Sequence, residues 1–478
     1  METETESVER LRPRNRFAKF VSFGITDTFF SPTRYRFVVL DAIVAFCIFQ
    51  FFVELSPYGR FGAWQVSSLI AGATFSLVLS LCVLGLGGFD RSKRFHYGTI
   101  LRVFALATSF AMLAALTVVY FGFYESFRQR GAGAVGRLAM VYGTLGSALA
   151  VTTLHLSLAW MMRRNPYRFT ILGSSPTLTE VQNFCKRSSY SSQLYVHVPW
   201  VTIFPDGVIP TVERVVAYKV GDLVLSQSAS SDSWAVEFAI RALQARLLVV
   251  DEVTFYIQVM ERVPVDAIDK AWVLREGIAK RNVMTVAFKR WFDIVVSCAA
   301  LILLAPVFVA IGVAIKLTDR GPILFVQERQ GRYFEPFRMY KFRTMRFDPR
   351  ASSTDTPFTK KRDPRVTLIG RILRPLHLDE LPQLLNVLKG DMSLVGPRPE
   401  AYEFAKRMSK ALSLYELRYL ARPGLTGYAQ INQGYAMDSV EDTKLKLSYD
   451  LYYLCYHSLW VDLQIMLRTV FFLAKGAR

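Results

Sequence analysis

The sequence predicts a membrane protein in three parts: a four-helix transmembrane bundle, a Rossmann-like α/β middle domain, and a re-entrant helix leading into a compact α-rich domain at the membrane interface. Three observations carry this. Four apolar stretches, each near or above the roughly 20 residues a bilayer crossing needs, lie within residues 36–164. Strand-like and helical runs follow over 165–278, and the apolar run Phe288–Leu317 is interrupted by Pro306 and basic on both flanks.

Composition agrees. The 478 residues suffice for roughly three units of about 150 each. With 52% hydrophobic and 20% charged residues and a mean hydropathy of +0.24, the chain is too apolar for a nucleic-acid-binding tail protein. Its 58 Lys+Arg against 39 Asp+Glu give a net charge of +19, which suits an anionic membrane face or anionic substrates. Cys47, Cys82, Cys185, Cys298 and Cys455 are scattered with no CxxC, which excludes a disulfide framework and a structural zinc site. Residues 1–35 form a charged N-terminal segment without the short apolar core and cleavage site of a signal peptide.

The four apolar stretches fall at about 36–55, 62–86, 98–122 and 136–162. Arg10, Arg12, Arg14, Arg16, Lys19, Arg34 and Arg36 precede the first, Arg91, Lys93 and Arg94 separate the second and third, and Arg163, Arg164 and Arg168 follow the fourth. The positive-inside rule then puts both ends of the bundle in the cytoplasm, although Arg128, Arg130 and Arg137 lie in the opposite loop. In the middle domain, YRFTILG, QLYVHVPWV, RVVAYKV, DLVLSQ and RLLVVDE read as strands and SWAVEFAIRALQA as a helix. The first strand ends in Gly173-Ser174-Ser175-Pro176, one glycine where a dinucleotide fingerprint needs three. A structural, regulatory or oligomerising role is therefore expected of this domain ahead of a ligand site. A homodimer through it is the one protein partner the sequence suggests, and no named residue carries it.

A straight fifth crossing through Phe288–Leu317 would send its C-terminal side across the membrane, against basic flanks on both sides (Lys280, Arg281, Lys289, Arg290, then Lys316 and Arg320). Pro306 removes a helix hydrogen bond and favours a bend, so the expectation is a helix that enters and leaves on the same face. The C-terminal LYYLCYHSLWVDLQIMLRTVFFLAKGAR, rich in Tyr, Trp and Leu, reads as an interfacial segment, with an ordinary buried terminal helix as the alternative.

The chemistry concentrates in His377–Glu400, HLDELPQLLNVLKGDMSLVGPRPE. Leu381, Leu384, Leu385 and Leu388 recur at helical spacing, Pro382 fits only a first turn, and Gly390 is a stop, so Asp379 and Glu380 stand at a helix N-terminus. Acidic residues there can simply cap the helix. Lys341, Arg343, Arg365, Arg398 and Arg422, in Gly/Pro-rich loops nearby in sequence, supply cations suited to a diphosphate. Together with the acidic pair they suggest phosphoryl transfer, in which one carboxylate attacks phosphorus and the other holds a divalent cation. Magnesium suits such a pair, whereas His377 has no second His or Cys near it in sequence to make zinc credible.

FKRWFDIVVSCAALILLAPVFVAIGVAIKL, GPILFVQERQGR, YKFRTM, DPRVTLIGRILR, LDELPQLLNVLKGDMSLVGPRPE, RPGLTGYAQIN and DLYYLCYHSLWVDLQIMLRTV, in this order over about 285–472, resemble the bacterial sugar transferase family, the monotopic polyprenyl-phosphate glycosyl-1-phosphate transferases. The four apolar stretches and the middle domain resemble that family's long form. The resemblance implies a catalytic domain over 279–478 that transfers a sugar 1-phosphate from a UDP-sugar to undecaprenyl phosphate. UMP is released, in two displacements through a covalent intermediate, to initiate a surface polysaccharide such as exopolysaccharide, capsule or O-antigen. It implies Asp379 as nucleophile, Glu380 as the Mg2+-associated carboxylate, Arg398 and Pro399 as a phosphate or nucleotide contact, and Pro306 as the helix break. Lys341, Arg343, Arg365 and Arg422 match family motif positions in less certain roles. Three residues depart from the pattern: Ala305 where Ser or Lys often precedes the proline, His377 where Ser or Thr is common, and Phe334-Glu335 in place of Gly-Lys in the GxxGKPF stretch.

The implied setting is the bacterial inner membrane, multi-pass, surrounded by membrane lipids, with the catalytic domain on the cytoplasmic face where donor and lipid acceptor meet. By analogy the sugar is glucose or galactose. The alternatives are an N-acetylated amino sugar, and a non-catalytic membrane scaffold for polysaccharide export, against which the intact Asp379-Glu380 pair argues.

Overall fold

The computed structural model describes residues 33–54, 62–86, 97–129, 133–164, 166–187, 195–206, 208–278, 283–318, 321–346, 365–433 and 439–474. They form two compact units, one ending at Glu261 and the other beginning at Arg262.

The first unit opens with helices α1 (Thr33–Glu54), α2 (Gly62–Gly85), α3 (Tyr97–Gln129) and α4 (Gly133–Arg164). Two stretches, Tyr97–Thr117 and Val141–Met161, are long and apolar enough to cross a membrane, and Leu69–Gly85 is a shorter apolar helix. Buried residues recur every three or four positions along each helix, as in Val38, Asp41, Ala45, Phe49 and Val53 of α1. Small residues allow close approach: a Cβ on Gly72 would stand 2.7 Å from the Phe49 ring. Two polar groups inside find partners in other helices, Ser147 Oγ donating to the Ala45 carbonyl at 2.7 Å and His155 Nε2 meeting both Asp41 carboxylate oxygens at 3.0 and 3.1 Å. Leu149 and Leu113, within the two apolar stretches, are among the large apolar residues left exposed.

The same unit continues into β1 (Tyr167–Leu172), α5 (Pro176–Arg187), β2 (Tyr195–His197), β3 (Asp222–Leu225), α6 (Ser233–Gln244), β4 (Leu248–Asp251) and α7 (Glu252–Met260). All four strands pair in parallel in the order β2-β1-β3-β4. Two apolar clusters sandwich the sheet, one around Phe238 and Leu223 and the other around Phe169 and Phe255. The order reverses between β1 and β3, where open α/β sheets place ligands. Here the crevice is filled from within. Gly173 has φ +90°, Ser226 Oγ occupies the place a Cβ would take on it, and Ser228 Oγ donates to the Ser174 carbonyl at 3.1 Å.

The boundary between units falls after Glu261, whereas the sequence suggested 278/279. Glu261 ends α7 in a left-handed conformation, and from there the chain joins the second unit: Val263 N donates to the Ser448 carbonyl and Lys444 pairs with Asp266.

That second unit holds α8 (Val283–Leu303) and α9 (Ala305–Thr318), the hairpin β5 (Leu324–Gln330) and β6 (Pro336–Phe342), α10 (Leu368–Leu373), a 3-10 turn (Leu378–Glu380), α11 (Gln383–Lys389), β7 (Ser393–Val395), α12 (Tyr402–Ala411), β8 (Gly424–Thr426), α13 (Val440–Tyr456) and α14 (Leu459–Ala474). Helices α8 and α9 bend by 61° at Leu304. Pro306 is the second residue of α9, a position where its missing N–H is tolerated, so the break falls two residues before it. Ile302, Leu303, Val309 and Leu317 are exposed around the bend. The root of α8 is bolted to the domain. Lys289 pairs with Asp462 at 2.6 Å, Arg290 donates to the Val387 and Leu388 carbonyls, and Asp293 accepts from Ser393 Oγ and Leu394 N. Helix α14 buries Val461 and Ile465, and Thr469 Oγ1 meets Thr426 Oγ1 at 2.6 Å on β8, while Val470 on another face is exposed.

Candidate active site

Asp379 and Glu380 sit on the 3-10 turn between His377, held left-handed at φ +54°, and the α11 N-cap Pro382. Strand β6 is tied to α11 by one buried asparagine: Asn386 accepts from Tyr340 N at 3.0 Å and donates to the Arg338 carbonyl at 2.7 Å. That tie brings the next residue on the strand, Lys341, to Glu380, Nζ to Oε1 at 2.7 Å. Arg398 reaches the same carboxylate with two guanidinium nitrogens, Nη2 to Oε1 at 2.7 Å and Nη1 to Oε2 at 3.4 Å. The loop carrying Arg398 is held at three carbonyls, because Gly424 N donates to Pro397, Arg418 Nη2 to Arg398 and Gln330 N to Glu400. Pro399 is buried within this clamp.

The two neighbouring carboxyls live in opposite environments. Burial works against ionising Glu380, but the charges of Arg398 and Lys341 outweigh it and hold its pKa well below the usual carboxylate range. Burial raises the pKa of Asp379, the adjacent Glu380 charge raises it further, and Lys341 and Arg374 only partly offset them. Lys341 itself is lowered, chiefly by burial. Adjacent acids driven apart in this way are suited to different roles.

Among the cations the sequence singled out, Lys341 and Arg398 close on Glu380. Arg343 is buried just past β6, its N–H donating to the Ile323 carbonyl. Arg365 stands exposed, its carbonyl accepting from Arg346 N. Arg422 is set elsewhere, with Arg332, Arg290 and Asp293 as its charged neighbours.

Sequence reasoning missed four residues of consequence. Arg374, whose charge reaches Asp379, is held by a 2.9 Å bond from its Nε to Thr344 Oγ1. Arg329 lies within electrostatic reach of Glu400, Arg398 and Glu380. Both stood inside motifs the sequence displays, and a count of cations per motif would have flagged them. The third and fourth, Arg418 and Asp450, are a fully buried pair at 2.8 Å from segments far apart in sequence, and although Asp450 opens the DLYYLCYHS motif, nothing local announces their pairing. Beside them Glu400 is paired with Lys446; burial opposes its ionisation, but Lys446 and Arg418 bring it down to about 2.

Among the described residues no group of three His, Cys, Asp or Glu side chains could cage a metal. The donors at the site are the two adjacent carboxylates. Such a pair fits magnesium, which binds through one or two carboxylates plus substrate phosphates and water, and does not fit zinc.

Comparison with known proteins bears on the same region. Residues 284–476 match the family described as "Bacterial sugar transferase". The chain is 42% identical over 182 residues to a UDP-N-acetylgalactosamine-undecaprenyl-phosphate N-acetylgalactosaminephosphotransferase of Aeromonas hydrophila, covering 38% of this chain and 42% of that protein. It is 44% identical over 199 residues to a UDP-glucose:undecaprenyl-phosphate glucose-1-phosphate transferase of Caulobacter vibrioides, covering 41% of this chain and 73% of that one. With the exopolysaccharide production protein PSS of Rhizobium leguminosarum bv. phaseoli the identity is 41% over 192 residues, 39% of this chain and 95% of that protein.

Proposed function

Since the chain belongs to the bacterial sugar transferase family, we propose that it transfers a hexose 1-phosphate from a UDP-sugar to undecaprenyl phosphate, releasing UMP, as the first step of a surface polysaccharide. The observation that carries this is the Asp379-Glu380 pair, with Glu380 held ionised by Lys341 and Arg398 and Asp379, among the described residues, in reach of Lys341 and Arg374 but without an ion pair. A half-buried carboxylate of raised proton affinity is the better nucleophile of the two.

In the first displacement an Asp379 oxygen bonds to the sugar-bearing phosphorus while the bond from that phosphorus to the bridging oxygen breaks, and UMP leaves with the electron pair. In the second, a phosphate oxygen of undecaprenyl phosphate attacks the same phosphorus, giving a lipid-linked diphosphate and restoring the Asp379 carboxylate. Arg398, Lys341 and Arg374 face the charge gathered on the non-bridging oxygens. Glu380 would hold a magnesium ion, which when bound supplies further neutralisation of the diphosphate.

The 61° bend with exposed apolar residues supports a re-entrant element seated in the inner leaflet. With the basic flanks, it supports a multi-pass protein of the bacterial inner membrane whose catalytic unit faces the cytoplasm, where UDP-sugars are. The sugar is proposed as glucose or galactose; an N-acetylated amino sugar is a second reading, favoured by the Aeromonas relative's name. The experiment is UMP release by the purified chain with undecaprenyl phosphate, magnesium and a panel of UDP-sugars. Release that needs both lipid and metal identifies the sugar, and silence across the panel from folded protein rejects the reading.

A further inference from the structure

Away from Asp379, the second unit gathers three guanidinium groups at the root of the bent helix. Arg290 stands on α8. Arg332 follows β5 and donates from Nε to the Leu420 carbonyl at 3.2 Å, two residues before Arg422. The far side of Arg422 is pinned as well, because Ser393 N donates to the Pro423 carbonyl and Ser393 Oγ donates to Asp293 on α8. These bonds close a ring that brings Arg290, Arg332 and Arg422 together. Asp293 is the acid among the charged neighbours of Arg422, and it is already engaged with Ser393 and Leu394. Arg290 spends two nitrogens on helix carbonyls, while among the described residues the Arg422 guanidinium has no hydrogen bond or close ion pair. Burial and its like-charged neighbours lower the pKa of Arg422, the response of a cation lacking its counter-ion.

The surface around the cluster is aromatic. Phe288 and Trp291, both exposed and with ring centroids 5.5 Å apart, share a face on the same turn of α8 as Arg290, and Tyr333, 57% exposed, stacks under Arg332 at 4.4 Å. Tyr333 and Phe334 hold φ of +57° and +66°, left-handed conformations that bulky residues adopt only at a cost in strain. Basic groups flanked by exposed rings are what a protein presents to the headgroup layer of a bilayer.

We propose that Arg290, Arg332 and Arg422 form a binding site for the phosphate headgroup of a lipid at the base of the bent helix, separate from the Asp379-Glu380 pair. The placement beside a membrane rests on the re-entrant reading of α8 and α9. Two sources share this chemistry, an anionic phospholipid and the polyprenyl monophosphate acceptor.

The test uses the full chain in a neutral detergent and reads its unfolding midpoint against short-chain phosphatidylglycerol, a polyprenyl monophosphate, and phosphatidylcholine as the zwitterionic reference. The wild type is stabilised by at least one anionic probe and not by the reference. The double change Arg332→Gln with Arg422→Gln weakens the apparent affinity about tenfold, whereas Arg332→Lys with Arg422→Lys keeps most of it. Response to both anionic probes assigns the site to phosphate headgroups at large, and response to the monophosphate alone assigns it to the acceptor. Equal shifts in the wild type and the Gln variant, or no shift with either anionic probe, overturn the proposal. Asp379→Asn keeps the shift while abolishing transfer, so failure of the proposed reaction is read separately from failure of this site.

Discussion

The crevice between β1 and β3 and the loops around Asp379 both collect turns at the ends of short strands, but the turns carry different side chains. In the crevice they read Gly173-Ser174-Ser175-Pro176 and Ser226-Gln227-Ser228, without a lysine or arginine, and the serines bond to each other and to the backbone. Around Asp379 the strand, helix end and loop carry Lys341, Arg374 and Arg398, and the two carboxyls they face have their pKa values pushed in opposite directions. A parallel sheet offers a place for a nucleotide; filling that place with neutral side chains closes it. What marks the candidate site is unsettled charge, not strand topology.

Breaking the charged region is expected to have the largest effect. Asp379→Asn removes the attacking oxygen and should lower transfer by at least about 10³-fold, measured as UMP release with folding checked by the unfolding midpoint. Because burial raises its pKa, the Asp379 carboxyl of the metal-free chain should titrate above 3.8, the ordinary aspartate value. Glu380→Gln leaves Lys341 and Arg398 without their shared counter-charge and should shift the magnesium titration by roughly 10- to 100-fold; an unshifted titration would remove Glu380 from the metal assignment.

The quiet region should respond in stability instead. Gly173→Ala forces a Cβ into the place of Ser226 Oγ at a φ of +90° and should cost roughly 1–3 kcal/mol in the first unit, with transfer per folded molecule unchanged. The same region carries a pH-dependent effect at Asp222, buried on β3 with Oδ2 unpartnered and pushed up to about 8 by burial. Between pH 3.8 and about 8 this carboxyl is neutral when folded and ionised when unfolded. Its contribution is therefore fully present below 3.8 and is lost as pH rises to about 8. Asp222→Asn should flatten that fall in the unfolding midpoint.

Much of this was legible in sequence, for physical reasons that also explain the rest. Apolar length marks α3 and α4, Pro306 marks a bend, and Pro382 with Gly390 brackets α11, because each signal is local. The acidic pair and the cations of the YKFRTM and PRP stretches were legible as motifs, but which cation meets which carboxylate depends on long-range ties such as Asn386 to β6. Arg422 read as one of several cations in Gly/Pro-rich loops, and the hydrogen bonds of Arg332 and Ser393 that set it beside Arg290 join segments far apart in sequence. The segment after Glu261 carries no strong periodicity, so its attachment to α13 left no trace in the pattern.

The most direct measurement is mass spectrometry of the chain quenched after mixing with the UDP-sugar it uses, with magnesium and without lipid acceptor. A hexose 1-phosphate adduct on the peptide containing Asp379, absent from Asp379→Asn and discharged by undecaprenyl phosphate, is the predicted result. An adduct on another residue, or none in an enzyme that turns over, would contradict the assignment of Asp379 as nucleophile.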